Sequence, residues 1–355
     1  MELRKSAGSN RLDYVDVYRA LGIILMVMGH IGFGDIFDHF IHAFHMPMFF
    51  ILSGFLYNTE KNATISIKQF VKKKAKALLI PYLAFSLIHI PVWLILEGFS
   101  YEPLLNLLLF STKELPVADA LWFLVALFVA DITYFLLRRF IKNKFIFHGC
   151  VVVISVTGCL IKPLLSVVLP FALGPAMVGL GLFDIGCSIR SAKNKWIFPK
   201  LLDLKWYFWI VLTLGTSALI FLNGYINMRS EKYAIVPLFF VVSMLSFFVL
   251  ITLSKFICKI FGKTIICSWL KSIGENSIVY VCTNQVVIIV VRYLTSFLPE
   301  TSTVMLLVKL LFTLVLSLTF LWCISLFIAK TPARTLIGRF NTDSTKNKRE
   351  VGVGA

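Results

Sequence analysis

The chain has 355 residues, of which 58% are hydrophobic and only 15% are charged, and its mean hydropathy is +0.86. These proportions lie outside the range of soluble globular domains, so the chain is expected to reside in a lipid bilayer. The net charge of +17 does not indicate nucleic-acid binding, because the lysines and arginines stand between the apolar runs instead of forming one patch.

Apolar runs of about twenty residues predict membrane-spanning helices, whereas a barrel would show shorter segments of alternating polarity. The predicted fold class is therefore all-α, a polytopic transmembrane helical bundle of about ten spans. The seven cysteines include no C-x-x-C pair, so they indicate neither a disulfide framework nor a zinc site. The spans are expected near residues 15–34, 40–58, 79–97, 119–137, 145–161, 169–189, 206–223, 234–254, 275–298 and 303–328.

The basic residues between the spans divide unequally between the two sides of the membrane. The amino-terminal segment, every second loop and the tail carry 28 of the 35 lysines and arginines, whereas the intervening loops carry four. Because cytoplasmic segments are enriched in positive charge, both termini are predicted to be cytoplasmic. The first span is expected to remain in the mature protein, since no small-residue cleavage site follows it.

The first span carries three ionisable side chains, Asp16, Arg19 and His30. Each such group costs roughly 2.5 to 3.5 kcal/mol inside a membrane, so it is expected to face the protein interior. At 100° per residue, Arg19 and His30 lie within about 20° of one helix face and about 16 Å apart along the axis. A neutral imidazole can accept a proton from a hydroxyl group, which makes His30 a candidate base, and Asp16 is spaced to orient Arg19. Alternatively, His30 only bonds a neighbouring helix and Arg19 only extends to the interface.

The second span adds His39, His42 and His45 on the same side of the membrane as His30. Their spacing of three could align a metal site, but Pro47 disturbs the helical register and few carboxylates are near. We therefore expect no metal, and a polar vestibule or contact with substrate is favoured.

A basic segment, KQFVKKKAKALLIPYL, leads into the third span. Its lysines are Lys68, Lys72, Lys73, Lys74 and Lys76. One interpretation is that they contact anionic lipid headgroups and orient the chain. The other interpretation is that they anchor a phosphorylated cytoplasmic ligand.

Five segments occur in order along the chain: LDYVDVYRALGIILMVMGH, FHMPMFFILSGFLY, KKKAKALLIPYL, ALWFLVALF and SIGENSIVY. Together they resemble the acyltransferase 3 family of integral membrane O-acyltransferases, and most closely the branch of fucose and capsule O-acetylases. The resemblance implies one transmembrane acyltransferase domain over 12–330. It also implies that this domain, in the bacterial cytoplasmic membrane, moves an acetyl group from cytoplasmic acetyl-CoA to a hydroxyl of an envelope polysaccharide or oligosaccharide. The basic tail, 331–355, is expected to be cytoplasmic and disordered.

The resemblance also implies roles for individual residues. His30 corresponds to the family's essential histidine and Arg19 to its partner arginine, so these two are the predicted catalytic residues. Lys73 and Lys76 fall at a paired basic motif and are the predicted residues for binding the coenzyme. His45 matches the histidine of an H-M-P segment and is therefore predicted to support the reaction. Asp16 is the other predicted supporting residue.

Two positions depart from the family pattern. The basic pair is lysine where many members have arginine, so two-point contacts between a planar guanidinium and a phosphate are lost while the charge is kept. Asn284 stands where many members have histidine, and any role for that position is open.

Two other functions fit parts of the sequence. A transporter that exports a glycan could line its path with the same buried polar residues and would not consume acetyl-CoA. A partner protein that binds the acceptor with a decayed site has Asn284 as its only support. The sequence leaves open the acceptor sugar, the acyl group (acetyl or succinyl), direct or stepwise transfer through an acylated histidine, and the oligomeric state.

Overall fold

The computed structural model describes residues 12–117, 119–193 and 205–340, and this part of the chain folds almost wholly into helices. Its one β pairing is an isolated antiparallel bridge between Asn227 and Lys232. The predicted all-α fold class is confirmed. The α-helices are α1 (Asp13–Ile31), α2 (Asp35–His42), α3 (Pro47–Leu56), α4 (Thr59–Ala63), α5 (Ile67–Leu96), α6 (Tyr101–Leu108), α7 (Trp122–Phe140), α8 (Lys144–Leu165), α9 (Leu173–Lys193), α10 (Trp206–Asn223), α11 (Val236–Phe261), α12 (Ile265–Glu275), α13 (Ser277–Leu294) and α14 (Thr303–Lys330), with 3-10 helices at Asp119–Leu121 and Pro332–Ile337.

Eight helical segments of the described chain are long and apolar enough to cross a membrane, with α2 and α3 forming one segment. The other two predicted spans coincide with α7 and α10. α10 is shorter in its apolar part, and α7 carries Asp131, Arg138 and Arg139. The chain is a multi-pass membrane protein; ten crossings and cytoplasmic termini stay predictions.

Helix α1 runs along the bundle and defines its two ends, which we call the Arg19 end and the His30 end. The helix stops where Gly32 adopts a left-handed conformation, with φ of 79°, and donates its N–H to the Met28 carbonyl at 3.0 Å. Glycine adopts this conformation without the steric penalty that a side chain would bring. His30 therefore lies in the last turn of the helix.

The segment that follows α1 is held by close packing of α3 against α9. A Cβ atom added to Gly54 would collide with the Phe183 carbonyl oxygen, and one added to Gly186 would collide with the Ile51 carbonyl oxygen. Small residues let the two helix backbones approach within van der Waals contact, which is the usual way to pack helices in lipid. This contact fixes the helix that begins just after His45.

At the Arg19 end, the segment after α14 packs back onto the bundle. Ile337 is buried, Gly338 contacts the Lys76 carbonyl oxygen, and Arg339 donates to Asn276 Oδ1 at 3.1 Å and to the Glu275 carbonyl at 2.7 Å. The prediction of disorder is therefore wrong for 331–340, because these contacts hold the segment in place. The rest of the predicted tail, 341–355, lies outside the described residues.

Candidate active site

A cavity of about 200 Å³ opens at the His30 end of the bundle. Its wall includes His30 from α1, His42 and His45 from the α2–α3 segment, Trp122 from the start of α7, and Arg229 from the loop between α10 and α11. Four separate parts of the chain thus converge on one space. The predicted catalytic His30 and the predicted supporting His45 lie in the same site.

His30 is held through its backbone, and its side chain forms no hydrogen bond with a described residue. The Arg292 guanidinium, from α13, donates Nη2–H to the carbonyl oxygens of His30 and Ile31 at 3.1 and 3.0 Å. These carbonyls lie in the last turn of α1, where no further turn of helix can satisfy them. The His30 imidazole forms no hydrogen bond with any residue that the structure describes. Its ring nitrogens therefore remain available to a ligand in the cavity.

His42 and His45 are oriented by backbone carbonyls one turn earlier. His42 Nδ1 lies 2.9 Å from the Asp38 carbonyl oxygen, and His45 Nδ1 lies 2.8 Å from the Ile41 carbonyl oxygen. A carbonyl oxygen only accepts, so Nδ1 carries the proton in both rings and Nε2 is left as the acceptor. The two rings meet edge to face with centroids 4.9 Å apart. Among the described residues, no three His, Cys, Asp or Glu side chains are grouped to hold a metal ion.

Arg229 lies on a short hairpin, 224–235, between α10 and α11. Asn227 and Lys232 exchange backbone hydrogen bonds of 2.8 and 2.9 Å across it, and Arg229 donates Nε–H to the Thr112 carbonyl at 3.0 Å. The hairpin therefore brings a positive charge to the wall of the His30 cavity. In the sequence, Arg229 stands out only as one of four basic residues in the sparsely charged loops.

The predicted contact between Asp16 and Arg19 is confirmed. The Arg19 guanidinium donates to Asp16 Oδ1 at 3.0 Å, and Asp16 is 2% exposed. Gly274 packs against the Asp16 carbonyl oxygen, which ties α12 to this part of α1. Arg19 lies about 16 Å from His30 along the helix axis, so the structure does not bring Arg19 to the His30 cavity wall.

The predicted coenzyme-binding lysines lie at the Arg19 end of α5. Lys73 is exposed, and the Lys76 ammonium lies 4.9 Å from the centroid of the Phe340 ring. Their neighbour Lys74 instead forms an ion pair of 2.7 Å with Asp131, which is 1% exposed, on α7. Lys73 and Lys76 form no ion pair with a carboxylate of a described residue, although the Asp131 carboxylate also acts on the charge of Lys73.

Asn284, at the position where a histidine was expected, is buried in α13. Its Nδ2 donates to the carbonyl oxygens of Tyr280 and Val281 at 3.0 and 2.8 Å. Its Oδ1 has no hydrogen-bond partner among the described residues. Val281, one turn away, lines the His30 cavity, so Asn284 lies on the helix that forms one wall of the site.

Comparison with protein families matches residues 12–326 to the family described as an acyltransferase domain. No curated protein and no solved structure matches the chain. The branch of fucose and capsule O-acetylases stays a prediction. Because the family match covers most of the chain and agrees with the transmembrane fold and the resemblance in the motifs, the chain belongs to the acyltransferase 3 family of membrane acyltransferases.

Proposed function

We propose that the chain is a membrane O-acetyltransferase that moves an acetyl group from cytoplasmic acetyl-CoA to a hydroxyl of an envelope polysaccharide or oligosaccharide. The observation that supports this proposal is the His30 imidazole, which bonds no described residue and lines a cavity whose wall also carries Arg229. The Arg19 end would face the cytoplasm of a bacterial cell and the His30 end the envelope. Neither the family nor the site favours the glycan exporter.

In the proposed reaction, His30 accepts the proton of the acceptor hydroxyl while the hydroxyl oxygen attacks the thioester carbonyl carbon. Negative charge develops on the carbonyl oxygen, and the guanidinium of Arg229 at the cavity wall would stabilise it. The bond between carbon and sulfur then breaks, and His30 returns the proton to the coenzyme sulfur, which leaves as the free thiol. This direct transfer needs one imidazole and no acylated protein group.

The proposed donor site lies at the opposite end of the bundle. Coenzyme A carries phosphate groups, and the exposed Lys73 and Lys76 offer positive charges that form no ion pair with a described residue. These lysines lie at the same end of the bundle as the Asp16–Arg19 pair of α1. The thioester arm would therefore extend past Arg19 towards His30, a distance of about 16 Å along α1.

The test is the O-acetyl content of the envelope polysaccharide, measured by mass spectrometry in a deletion strain that carries wild-type or variant chain. His30→Ala should reduce it at least about a hundredfold, the usual effect of removing an acid–base group. Arg19→Ala should also reduce it strongly, because the guanidinium lies on the proposed path of the thioester arm. His148→Ala, a histidine 48% exposed on α8, is the matched control and should retain activity. Immunoblots of membranes confirm insertion. Full acetylation by the His30 variant would overturn the proposal, and the mass lost on deletion identifies the acyl group.

A further inference from the structure

A second cavity, of about 450 Å³, adjoins the His30 cavity. We call it the outer cleft; it is lined by Glu102, Lys113, Glu114 and Lys162, together with Asn227 and Arg229. Asn227 and Arg229 also line the His30 cavity. The two spaces therefore meet at the tip of the hairpin, with Arg229 at the boundary between them.

Hydrogen bonds between separate elements fix the shape of the outer cleft. Asn106, on α6, donates to the Glu114 carbonyl at 3.1 Å, and Arg229 joins the hairpin to the Thr112 carbonyl at 3.0 Å. On the far side, Lys162 donates to the Ser230 carbonyl at 2.8 Å. A site that is already held in shape loses little freedom when a ligand binds, so the cleft is suited to recognition.

The side chains on the cleft wall suit a ligand rich in hydroxyl groups. Glu102, Lys113 and Glu114 are exposed and form no ion pair with a described residue. Their carboxylates can accept hydrogen bonds from sugar hydroxyls, and the lysine ammonium can donate to sugar oxygens. An apolar ligand could not form these hydrogen bonds.

The sizes of the two cavities bear on the length of the acceptor. The His30 cavity, at about 200 Å³, is smaller than the roughly 300 to 1,000 Å³ of typical ligand sites. The outer cleft supplies the missing space directly beside it. A single sugar at His30 would leave the charged wall of the cleft unused.

We propose that the outer cleft binds the sugar residues next to the one that is acetylated, so that the acceptor is an oligosaccharide or polysaccharide segment of at least two sugar rings. This inference rests on the proposed function. It assigns Glu102, Lys113 and Glu114 to acceptor binding and gives Arg229 a position beside both the reacting sugar and its neighbour.

The experiment uses the full chain in lipid nanodiscs with radiolabelled acetyl-CoA. The acceptors are fragments of the host's envelope polysaccharide, deacetylated with alkali and separated into single sugars, disaccharides and longer pieces. The variant E102Q/K113Q/E114Q keeps side-chain size and removes three charges. It should raise KM for the longer fragments about tenfold, the loss expected for charged hydrogen bonds to a ligand, and leave KM for acetyl-CoA within about twofold.

The matched control is E300Q/K309Q, which removes an ion pair of 2.7 Å at the His30 end but away from the cleft, and it should behave as wild type. Thermal unfolding verifies that both variants are folded. Two results would overturn the proposed role of the outer cleft and leave the proposed function standing. One is an unchanged KM of the triple variant for the longer fragments, and the other is equal use of single sugars and longer fragments by wild type. A wild-type chain that transfers no acetyl group to any fragment would overturn both.

Discussion

Arg292 bonds the backbone of His30 from a neighbouring helix. The guanidinium binds the carbonyl oxygens of His30 and Ile31 and so anchors the last turn of α1 to α13. A base acts efficiently only when its geometry is held within a fraction of an ångström of the reacting group. Arg292 is therefore a positioning residue for the proposed reaction.

Replacing Arg292 with glutamine should lower kcat about tenfold while KM for acetyl-CoA stays unchanged, because the anchor of α1 is lost and the donor end is untouched. Arg292→Lys should recover part of the activity, since an ammonium can still bond one carbonyl. Lys309→Gln, which removes the ammonium that pairs with Glu300 at the same end, is the control. Steady-state kinetics in nanodiscs provide the measurement, and an unchanged kcat in the glutamine variant would contradict the positioning role.

Among the elements, the hairpin between α10 and α11 contains a buried acid. Glu231 has a left-handed backbone, with φ of 54°, and its carboxylate packs against Gly174 in the first turn of α9. Neither carboxylate oxygen has a hydrogen-bond partner among the described residues. Burial raises the pKa of Glu231 to about 7, and the nearby Lys162 ammonium opposes this rise. We therefore expect the stability of the hairpin that carries Arg229 to depend on pH.

The sign of this sensitivity follows from linkage. The folded-state pKa of Glu231 lies above its unfolded value, so its stabilising contribution is full below about pH 4.5 and is lost as the pH rises through about 7. The unfolding temperature of wild type should therefore fall between about pH 5 and about pH 9. Glu231→Gln should flatten this dependence, whereas Glu102→Gln, at an exposed position, should not. Identical curves for wild type and Glu231→Gln would show that the carboxyl does not titrate in this range.

The helices themselves could largely be predicted, and the differences have local causes. α5 begins at Ile67, well before the predicted start at 79, because Ser66 and Gln69 form a reciprocal capping box with bonds of 3.3 Å. The basic segment is thus the first part of the helix. The polar residues of this segment correctly indicate that it lies outside the apolar span. Polarity alone, however, does not distinguish an exposed turn of helix from a loop.

For the molecule as a whole, the part of the site that rests on helical periodicity could be predicted. His30 and the Asp16–Arg19 pair lie on one helix, and His45 follows soon after it. Arg229 and Arg292 could not be predicted in the same way, because they bond residues 117 and 262 positions away. Such contacts depend on how α1, α13 and the hairpin pack together, and no local pattern records that packing.

The orientation of the whole bundle can be tested with single cysteines in a chain whose seven native cysteines are replaced by serine. Lys113→Cys, at the His30 end, should react with a membrane-impermeant maleimide in cells whose outer layer is permeable. Lys263→Cys, beside Asp13 at the Arg19 end, should react only after the inner membrane is opened. The reason is the charge bias of 28 basic residues to four, which places the richer side in the cytoplasm. The reverse pattern would invert the proposed donor and acceptor sides, while labelling after lysis shows that both cysteines are reactive.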